Sequence, residues 1–289
     1  MTGPQTPMRN HFGHSPRREE VIAQSIADGR GLPSPCREAI PFGQMQGKSN
    51  PPLAVFCLKS GGKYSADYVN RLHRMVGRHL AAAHTFHCLT ENAQGLEEGI
   101  IAEPLPSPDL GGCWNKLRLF SPRLTAAPTT VLYLDLDVVL VDSIDPLIDC
   151  PPASDFLGQP DWNRPWFPQF NSSVMRFTSG SHPEVHDGFL EELSCDRLVR
   201  REEWDGTTQS RDKTVYWRGW QRFGGDQEWI SAQLRPRQRV RQRAFPPGWV
   251  VSYKTHANRE IPPGAKIVVF HGSPKPHEVD AAYVRKFWD

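Results

Sequence analysis

An apolar run that ends in two acids is the feature of this chain that most constrains its fold. Val131–Leu134 is continuously apolar and leads directly into Asp135-Leu136-Asp137. A strand buried on both faces of a parallel sheet has this composition, and ligands of such sheets bind at the carboxyl ends of the strands. A second apolar run, Val138–Val141, follows at once, so the two carboxylates would be costly to bury without partners. The motif therefore predicts a strand that ends in functional acids.

Strand-like and helix-like segments alternate before this strand. Leu53–Leu58 is a short apolar run, and the segment after it carries apolar residues at helical spacing behind a cap at Ser65 or Asp67. Such alternation is typical of a largely parallel sheet covered on both faces. The other predicted strands are Thr85–Leu89, Gly99–Glu103, Asp155–Gly158, Ser172–Phe177, Trp249–Tyr253 and Lys266–Phe270, and the other predicted helices are Trp114–Phe120, Glu184–Leu193 and Asp226–Leu234. The polar stretch Cys195–Trp220 is predicted to be irregular.

The composition excludes several classes of function. The net charge of +2 argues against a dedicated nucleic-acid binder, which would be more basic. The six cysteines are scattered without a CxxC pair, so the sequence predicts neither a zinc site nor a disulfide framework. No apolar run reaches membrane-spanning length, and the first residues lack a secretory pattern. We expect a cytoplasmic protein, with peripheral membrane contact left open.

Two segments stand apart from this pattern. Residues 1–50 are rich in Pro, Gly and polar side chains and are expected to form a poorly ordered arm with a short helix at Arg18–Ala27. Arginine recurs at every second position from Arg235 to Arg243, which would place five cations on one face of a strand. Such a face suits an anionic glycan or lipid headgroup, or a solvated edge strand protected by charge; we favour the edge strand.

Two carboxylates at a strand end have two chemical interpretations. They can hold Mg²⁺ or Mn²⁺, which prefer oxygen ligands, and such a cation can stabilise a departing diphosphate. An apolar strand followed by Asp-x-Asp-x-Val also resembles the nucleophile motif of haloacid-dehalogenase-type phosphatases, with Asp135 as the nucleophile. That motif normally lies on the first strand of its domain, and Ile230 stands where a later acid would help. We therefore favour the metal site.

The order of four motifs resembles glycosyltransferases of the GT-A fold, and most of all the retaining family 8, which includes glycogenin and lipooligosaccharide galactosyltransferases. The resemblance extends from Leu53 to Val279. Its motifs are Leu132-Tyr133-Leu134-Asp135-Leu136-Asp137, Phe170-Asn171-Ser172-Ser173-Val174-Met175, Gly225-Asp226-Gln227-Glu228 and Phe270-His271-Gly272-Ser273-Pro274-Lys275-Pro276. It implies an α/β fold in which residues 51–289 form one GT-A-like domain with a mixed central sheet.

The resemblance also implies a reaction and its residues. A nucleoside diphosphate sugar would donate its sugar, with retention, to an unknown glycan, lipid or protein acceptor, with Mn²⁺ or Mg²⁺ as cofactor. The implied residues are Asp135, Asp137 and His271 for the metal, Asp226, Gln227 and Lys275 for catalysis, and Lys59, Tyr64, Lys116, Asn171 and Gly272 for the donor. Asp226 or Glu228 would also suit a general base, so an inverting reaction stays open. A non-catalytic nucleotide-sugar binder is a further alternative.

The last motif departs from the family pattern. The family has His-x-x-Gly-x-x-Lys-Pro-Trp, whereas here His271, Gly272 and Lys275 are closer together and His277 stands in place of the tryptophan. The order of the chemical groups is kept, and an imidazole and an ammonium still suit a metal and a phosphate. The changed spacing indicates a separate but related family.

Overall fold

The computed structural model describes residues 51–106, 109–150, 156–163, 169–204, 212–234 and 243–289. The predicted arm at residues 1–50, with its helix at Arg18–Ala27, lies outside the described residues, as do residues 235–242 of the arginine-rich segment. The strands are β1 (Leu53–Lys59), β2 (Thr85–Thr90), β3 (Ile100–Pro104), β4 (Thr130–Leu134), β5 (Val138–Leu140), β6 (Leu157–Pro160), β7 (Phe170–Thr178), β8 (Val199–Trp204), β9 (Asp212–Arg218), β10 (Gln221–Phe223), β11 (Arg243–Ala244), β12 (Val250–Ser252) and β13 (Ile267–Val269).

The helices connect or cover these strands. They are α1 (Ala66–His79), α2 (Asp145–Asp149), α3 (Pro183–Ser194), α4 (Asp226–Leu234) and α5 (Ala282–Phe287), with 3-10 helices at Gly112–Phe120 and Pro276–Glu278 and a π-helical turn at Tyr253–Ala257. Within the described ranges, no helix is both long enough and apolar enough to cross a bilayer.

The main sheet of the described chain has seven strands in the order β11-β6-β7-β4-β1-β2-β3. β1 is parallel to both β2 and β4, β2 to β3, and β6 to β11. β7 is antiparallel to both of its neighbours, β4 and β6. The predicted mixed α/β sheet is therefore confirmed. Because β4 and β7 run in opposite directions, the end of β4 lies beside the start of β7.

The centre of this sheet is buried on both faces, which explains the continuous apolar runs. Alternate side chains of one strand join different apolar clusters: Leu132 and Leu134 of β4 belong to one, and Val131 and Tyr133 to the other. Helix α1 contributes to the first cluster, and the 3-10 helix Gly112–Phe120 with α3 and α4 contributes to the second. A strand between two such layers has no solvent-facing side and so no polar alternation.

Two small sheets complete the fold of the described residues, and one of them corrects a prediction. β12-β13-β5 forms one sheet and β10-β9-β8 the other. The irregular structure predicted for Cys195–Trp220 is wrong, because the antiparallel pair β8–β9 lies there. The polar residues form cross-strand contacts instead: Thr214 donates to Glu202 at 2.9 Å, and Arg222 pairs with Glu203 at 2.7 Å. Contacts between polar side chains of different strands stabilise a sheet even where apolar residues are sparse.

We expect truncation of a buried side chain in the central strand β4 to destabilise the protein more than truncation of an exposed side chain in the edge strand β3. Leu132 is fully buried, so we expect Leu132→Ala to lower the free energy of unfolding by about 2–5 kcal/mol. Ile101→Ala on β3 is the matched control, because that side chain is 43% exposed and should cost much less. Urea unfolding followed by tryptophan fluorescence measures both, and equal losses would contradict the central position of β4.

Candidate functional site

The two acids of the Asp-x-Asp motif lie in the short link between β4 and β5. The backbone N–H of Asp135 donates to the carbonyl oxygen of Ser173 in β7 at 2.8 Å. The carbonyl oxygen of Asp137 accepts from the N–H of Phe270, just after β13, at 2.9 Å. Two neighbouring sheets therefore fix the backbone of the motif, and they bring the Asn171 and His271 segments to it.

Lys116 joins the first and third sequence motifs. Its ammonium lies 3.0 Å from Asp135 Oδ1 and 3.3 Å from Asp226 Oδ2, and the side chain is only 4% exposed. It also donates to the carbonyl and hydroxyl oxygens of Ser172, at 3.2 and 3.1 Å. One buried cation is thus shared between the end of β4, the start of β7 and the start of α4.

This arrangement keeps both partners charged at neutral pH. Burial by itself would raise the pKa of Asp135, but Lys116 and hydrogen bonds from Tyr133 and Ser173 outweigh it and lower that pKa. The Tyr133 hydroxyl donates to Asp135 Oδ1 at 2.6 Å. Burial would likewise lower the pKa of Lys116, but the carboxylates of Asp135 and Asp226 outweigh it and raise that pKa.

Asp137 has a separate set of partners. Its Oδ2 accepts a hydrogen bond from the Tyr64 hydroxyl at 2.9 Å and forms a short ion pair with the ammonium of Lys275. Lys275 also donates to the carbonyl oxygen of Phe270 at 3.1 Å. The structure therefore brings together Tyr64, Asp137 and Lys275, which the family resemblance assigns to the donor, the metal and the diphosphate.

His271 lies against other partners. Its Nε2 is 2.7 Å from the Ser252 hydroxyl, and its ring stacks on Trp162 with centroids 5.5 Å apart. Burial, with Lys254 next in effect, lowers the pKa of His271. Within the described chain, no three His, Cys, Asp or Glu side chains converge as a metal site. The role of His271 as a third ligand stays a prediction.

The remaining predicted residues divide between the site and its surroundings. Asn171 Oδ1 accepts the N–H of Ser173 at 3.0 Å, and Gln227 reaches the buried Asp161 carboxylate at 3.5 Å. Gly272 has a φ of +69° and lies where an added Cβ would be 3.0 Å from the Lys254 ammonium. Lys59 donates to the carbonyl oxygen of Asn92 at 3.4 Å.

Several contacts of the site carry weak sequence signals. Tyr133 lies inside an apolar run, and only its hydroxyl, which needs a partner when buried, indicates that it contacts Asp135. Ser172 is a small residue within a predicted strand and carries no functional signal of its own, yet both of its oxygens accept hydrogen bonds from Lys116. Ser252 ends an apolar strand and gives no such signal before its contact with His271 is seen.

The donor chemistry of the two acids fits a hard divalent cation. Both are carboxylates at the end of one strand, and the Asp135 side chain is 25% exposed, so a small ligand can reach it. Each already contacts an ammonium group, Lys116 for Asp135 and Lys275 for Asp137. The two ammonium groups mark positions where the carboxylates favour positive charge. The Lys275 side chain is 12% exposed and that of Lys116 only 4%.

Comparisons with known proteins find matches at the level of structure. No family model and no curated protein matches the sequence. The glycosyltransferase GlyE of Streptococcus pneumoniae TIGR4 superimposes with a TM-score of 0.54 at 13% identity, covering 82% of this chain. The galactosyltransferase LgtC, solved with donor and acceptor sugar analogs, gives 0.51 at 14% identity over 81% of this chain and 93% of LgtC. The bifunctional glycosyltransferase WbbM gives 0.50 at 14% identity over 81% of this chain and 48% of WbbM.

These matches define the fold class. The chain spans 62% of the length of GlyE, so the whole of that protein is not represented here. At 13–14% identity, the likeness shows the fold, which is that of GT-A glycosyltransferases. The GT-A fold expected from the four motifs, with its likeness to LgtC-type family 8 enzymes, is confirmed.

Proposed function

We propose that this protein is a metal-dependent glycosyltransferase that moves a sugar from a nucleoside diphosphate donor to an acceptor, with retention of configuration. One observation carries the proposal: buried Lys116 contacts both Asp135 of the Asp-x-Asp motif and Asp226 of the third sequence motif, at the carboxyl end of β4. Ligands of open α/β sheets bind at that end. The GT-A fold makes a nucleotide sugar the ligand class that fits.

Asp135 and Asp137 are the residues that would hold Mn²⁺ or Mg²⁺, with His271 as a candidate third ligand. When bound, the cation neutralises the charge that develops on the departing diphosphate. Lys275 adds a second positive charge at the same place, because its ammonium contacts Asp137. The Tyr64 hydroxyl, which donates to the same carboxylate, fixes the orientation of Asp137.

The sugar side of the site is assigned to Asn171, Asp226 and Gln227. The Lys116 ammonium holds the Asp226 carboxylate in place, and the Asp161 carboxylate orients the Gln227 amide. Glu228, the other candidate base, accepts the N–H of Gly224 at 2.7 Å. Retention is proposed from the resemblance of the four motifs to family 8, and the Glu228 contact only fixes that carboxylate beside the start of α4.

The acceptor is inferred to be a glycan. LgtC, whose fold this chain shares, was solved with an acceptor sugar analog. The expected cytoplasmic location belongs to the same proposal. The phosphatase alternative has less support, because β4 is the fourth described strand and the proposed nucleophile Asp135 is held by an ammonium and a tyrosine hydroxyl.

A donor screen tests the proposal. We expect one class of nucleoside diphosphate and its sugar conjugates to raise the Tm of the full chain in the presence of Mn²⁺, by mass action on the folded state. Asp226→Asn should keep the shift with the nucleoside diphosphate and lose most of the added shift from the sugar. Mass spectrometry with the selected donor and simple glycans then measures transfer. Donor binding without transfer or hydrolysis would favour the non-catalytic binder, and turnover of generic phosphoesters would favour the phosphatase.

A further inference from the structure

We propose that Lys275 makes the site select a divalent cation and a diphosphate together, rather than either alone. In the free protein its ammonium occupies Asp137 and competes with the cation. A diphosphate draws the ammonium away and leaves the carboxylate to the metal. This inference rests on the proposed function, because it concerns the same metal and donor.

The contacts of Asp137 carry the first step. A single oxygen, Oδ2, receives both the Tyr64 hydroxyl and the Lys275 ammonium. The two charged side chains are only 9% and 12% exposed, so water screens their attraction weakly. A cation that approaches this oxygen must displace the ammonium or share the carboxylate with a like charge. Binding of the cation alone is therefore penalised.

The Lys275 side chain can move while its backbone stays fixed. The backbone N–H of Lys275 donates to the Glu278 carboxylate at 2.5 Å, and its carbonyl oxygen accepts from the backbone N–H of Glu278 at 3.0 Å. These bonds fix the start of the 3-10 helix Pro276–Glu278, whereas the lysine stem is a flexible chain with a single point charge at its end. The ammonium can exchange Asp137 for a phosphate oxygen while the loop stays in place.

Lys116 cannot exchange in this way. It contacts the carboxylates of Asp135 and Asp226 and both oxygens of Ser172, and only 4% of its side chain is exposed. Moving it would leave two carboxylates without their ammonium partner. The two lysines thus differ in function: Lys116 is a fixed part of the site, and Lys275 is the competitor that a ligand displaces.

Competition of this kind has a measurable consequence. If a diphosphate removes the competitor of the cation, each ligand must raise the affinity of the other by the same factor. Direct contact between cation and diphosphate also produces such coupling. Measurement of cation binding without diphosphate distinguishes competition by Lys275 from direct contact between the two ligands. Only competition predicts that removing Lys275 strengthens the binding of the cation alone.

Electron paramagnetic resonance of free Mn²⁺ tests this on the full chain. We expect Lys275→Met to bind Mn²⁺ alone about tenfold more tightly than wild type, and to gain about tenfold less affinity when UDP, GDP or ADP is added. Lys275→Arg keeps a cation at this place and should resemble wild type. Lys63→Met is the matched control. The Lys63 ammonium lies over the Tyr64 ring, 5.0 Å from its centroid, and interacts electrostatically with Asp135 and Asp137. Within the described residues it forms an ion pair with neither carboxylate.

The outcomes separate this inference from the proposed function. If Lys63→Met and Lys275→Met strengthen Mn²⁺ binding equally, the effect comes from the overall positive charge near the carboxylates, and the proposed competition at Asp137 is overturned. The competition is also overturned if Lys275→Met has the same affinity for Mn²⁺ alone as the wild type, while nucleotide binding and transfer by the wild type depend on the metal. If no variant binds Mn²⁺ with or without a nucleotide, the metal of the proposed function fails, and this inference fails with it.

Discussion

Replacing Asp137 with asparagine is expected to lower kcat/KM for sugar transfer by about a thousandfold, equivalent to about 4 kcal/mol of transition-state stabilisation. The amide keeps the shape of the side chain and a hydrogen-bond acceptor for Tyr64, but it removes the negative charge that a divalent cation needs. It also leaves the ammonium of Lys275 without its carboxylate partner. The loss should appear in both Mn²⁺ affinity and turnover, measured with the donor identified by thermal shift.

The matched control is Asp142→Asn. Asp142 lies five positions further along the chain and pairs with Lys266 at 3.1 Å, but its side chain is 58% exposed. Exposed ion pairs contribute little, so this variant should keep near-normal transfer and stability. Transfer by Asp137→Asn within about tenfold of wild type would contradict an essential metal at this carboxylate.

The phosphatase alternative gives the neighbouring acid another role and predicts another substrate. There Asp135 is a nucleophile, so Asp135→Asn would abolish phosphoester hydrolysis, and no nucleotide sugar would be consumed by the wild type. In the glycosyltransferase proposal, Asp135→Asn and Asp137→Asn both weaken Mn²⁺ binding. Loss of activity in Asp135→Asn therefore fits both chemistries, and the substrate that the wild type consumes, a phosphoester or a nucleotide sugar, discriminates between them.

The main sheet could be predicted because its central strands carry a simple signal. β1 and β4 lie between two apolar layers, and a strand of this kind is a continuous apolar run. The β8–β9 hairpin could not be predicted in the same way. Its polar side chains contact residues of other strands, as in Thr214 of β9 with Glu202 of β8 and Arg222 of β10 with Glu203 of β8, and such contacts are recognisable only when the partner strand is known.

The site was predictable in part, for a similar reason. The Asp-x-Asp motif and Asp226 were identifiable from the residues around them, but nothing local indicates that one lysine joins them. The three residues belong to three separate elements, so only the fold defines the contact. The contact of His271 with Ser252 joins residues that follow or end two different strands, so the motif around His271 does not indicate it.

Lys116→Met is expected to produce the largest loss of stability and to abolish transfer. The methionine fits the volume, but it leaves the carboxylates of Asp135 and Asp226 in a buried site without their shared ammonium. Removing one partner of a buried charge pair costs about 3–5 kcal/mol. Lys213→Met, at an exposed lysine, is the control and should change the free energy of unfolding little.

The loss should depend on pH in a defined direction. The folded pKa of Asp135 lies below its ordinary value of 3.8, so the pair stabilises the wild type fully above that value, and the contribution is lost as pH falls through the folded pKa. The folded pKa of Lys116 lies above its ordinary value of 10.5, so its contribution is complete below 10.5. The difference in stability between wild type and Lys116→Met should therefore be greatest near neutral pH and shrink below about pH 4.

A double variant separates charge from packing. Lys116→Met combined with Asp135→Asn removes one of the two carboxylates that the single variant leaves unpaired, so it should recover part of the lost free energy of unfolding. Transfer should stay absent, because Asp135 is also a proposed metal ligand. Urea unfolding at about pH 3 and at about pH 8 measures all three proteins. A single variant as stable as wild type at neutral pH, or a double variant less stable than the single one, would contradict the buried ion pair as the structural centre of the site.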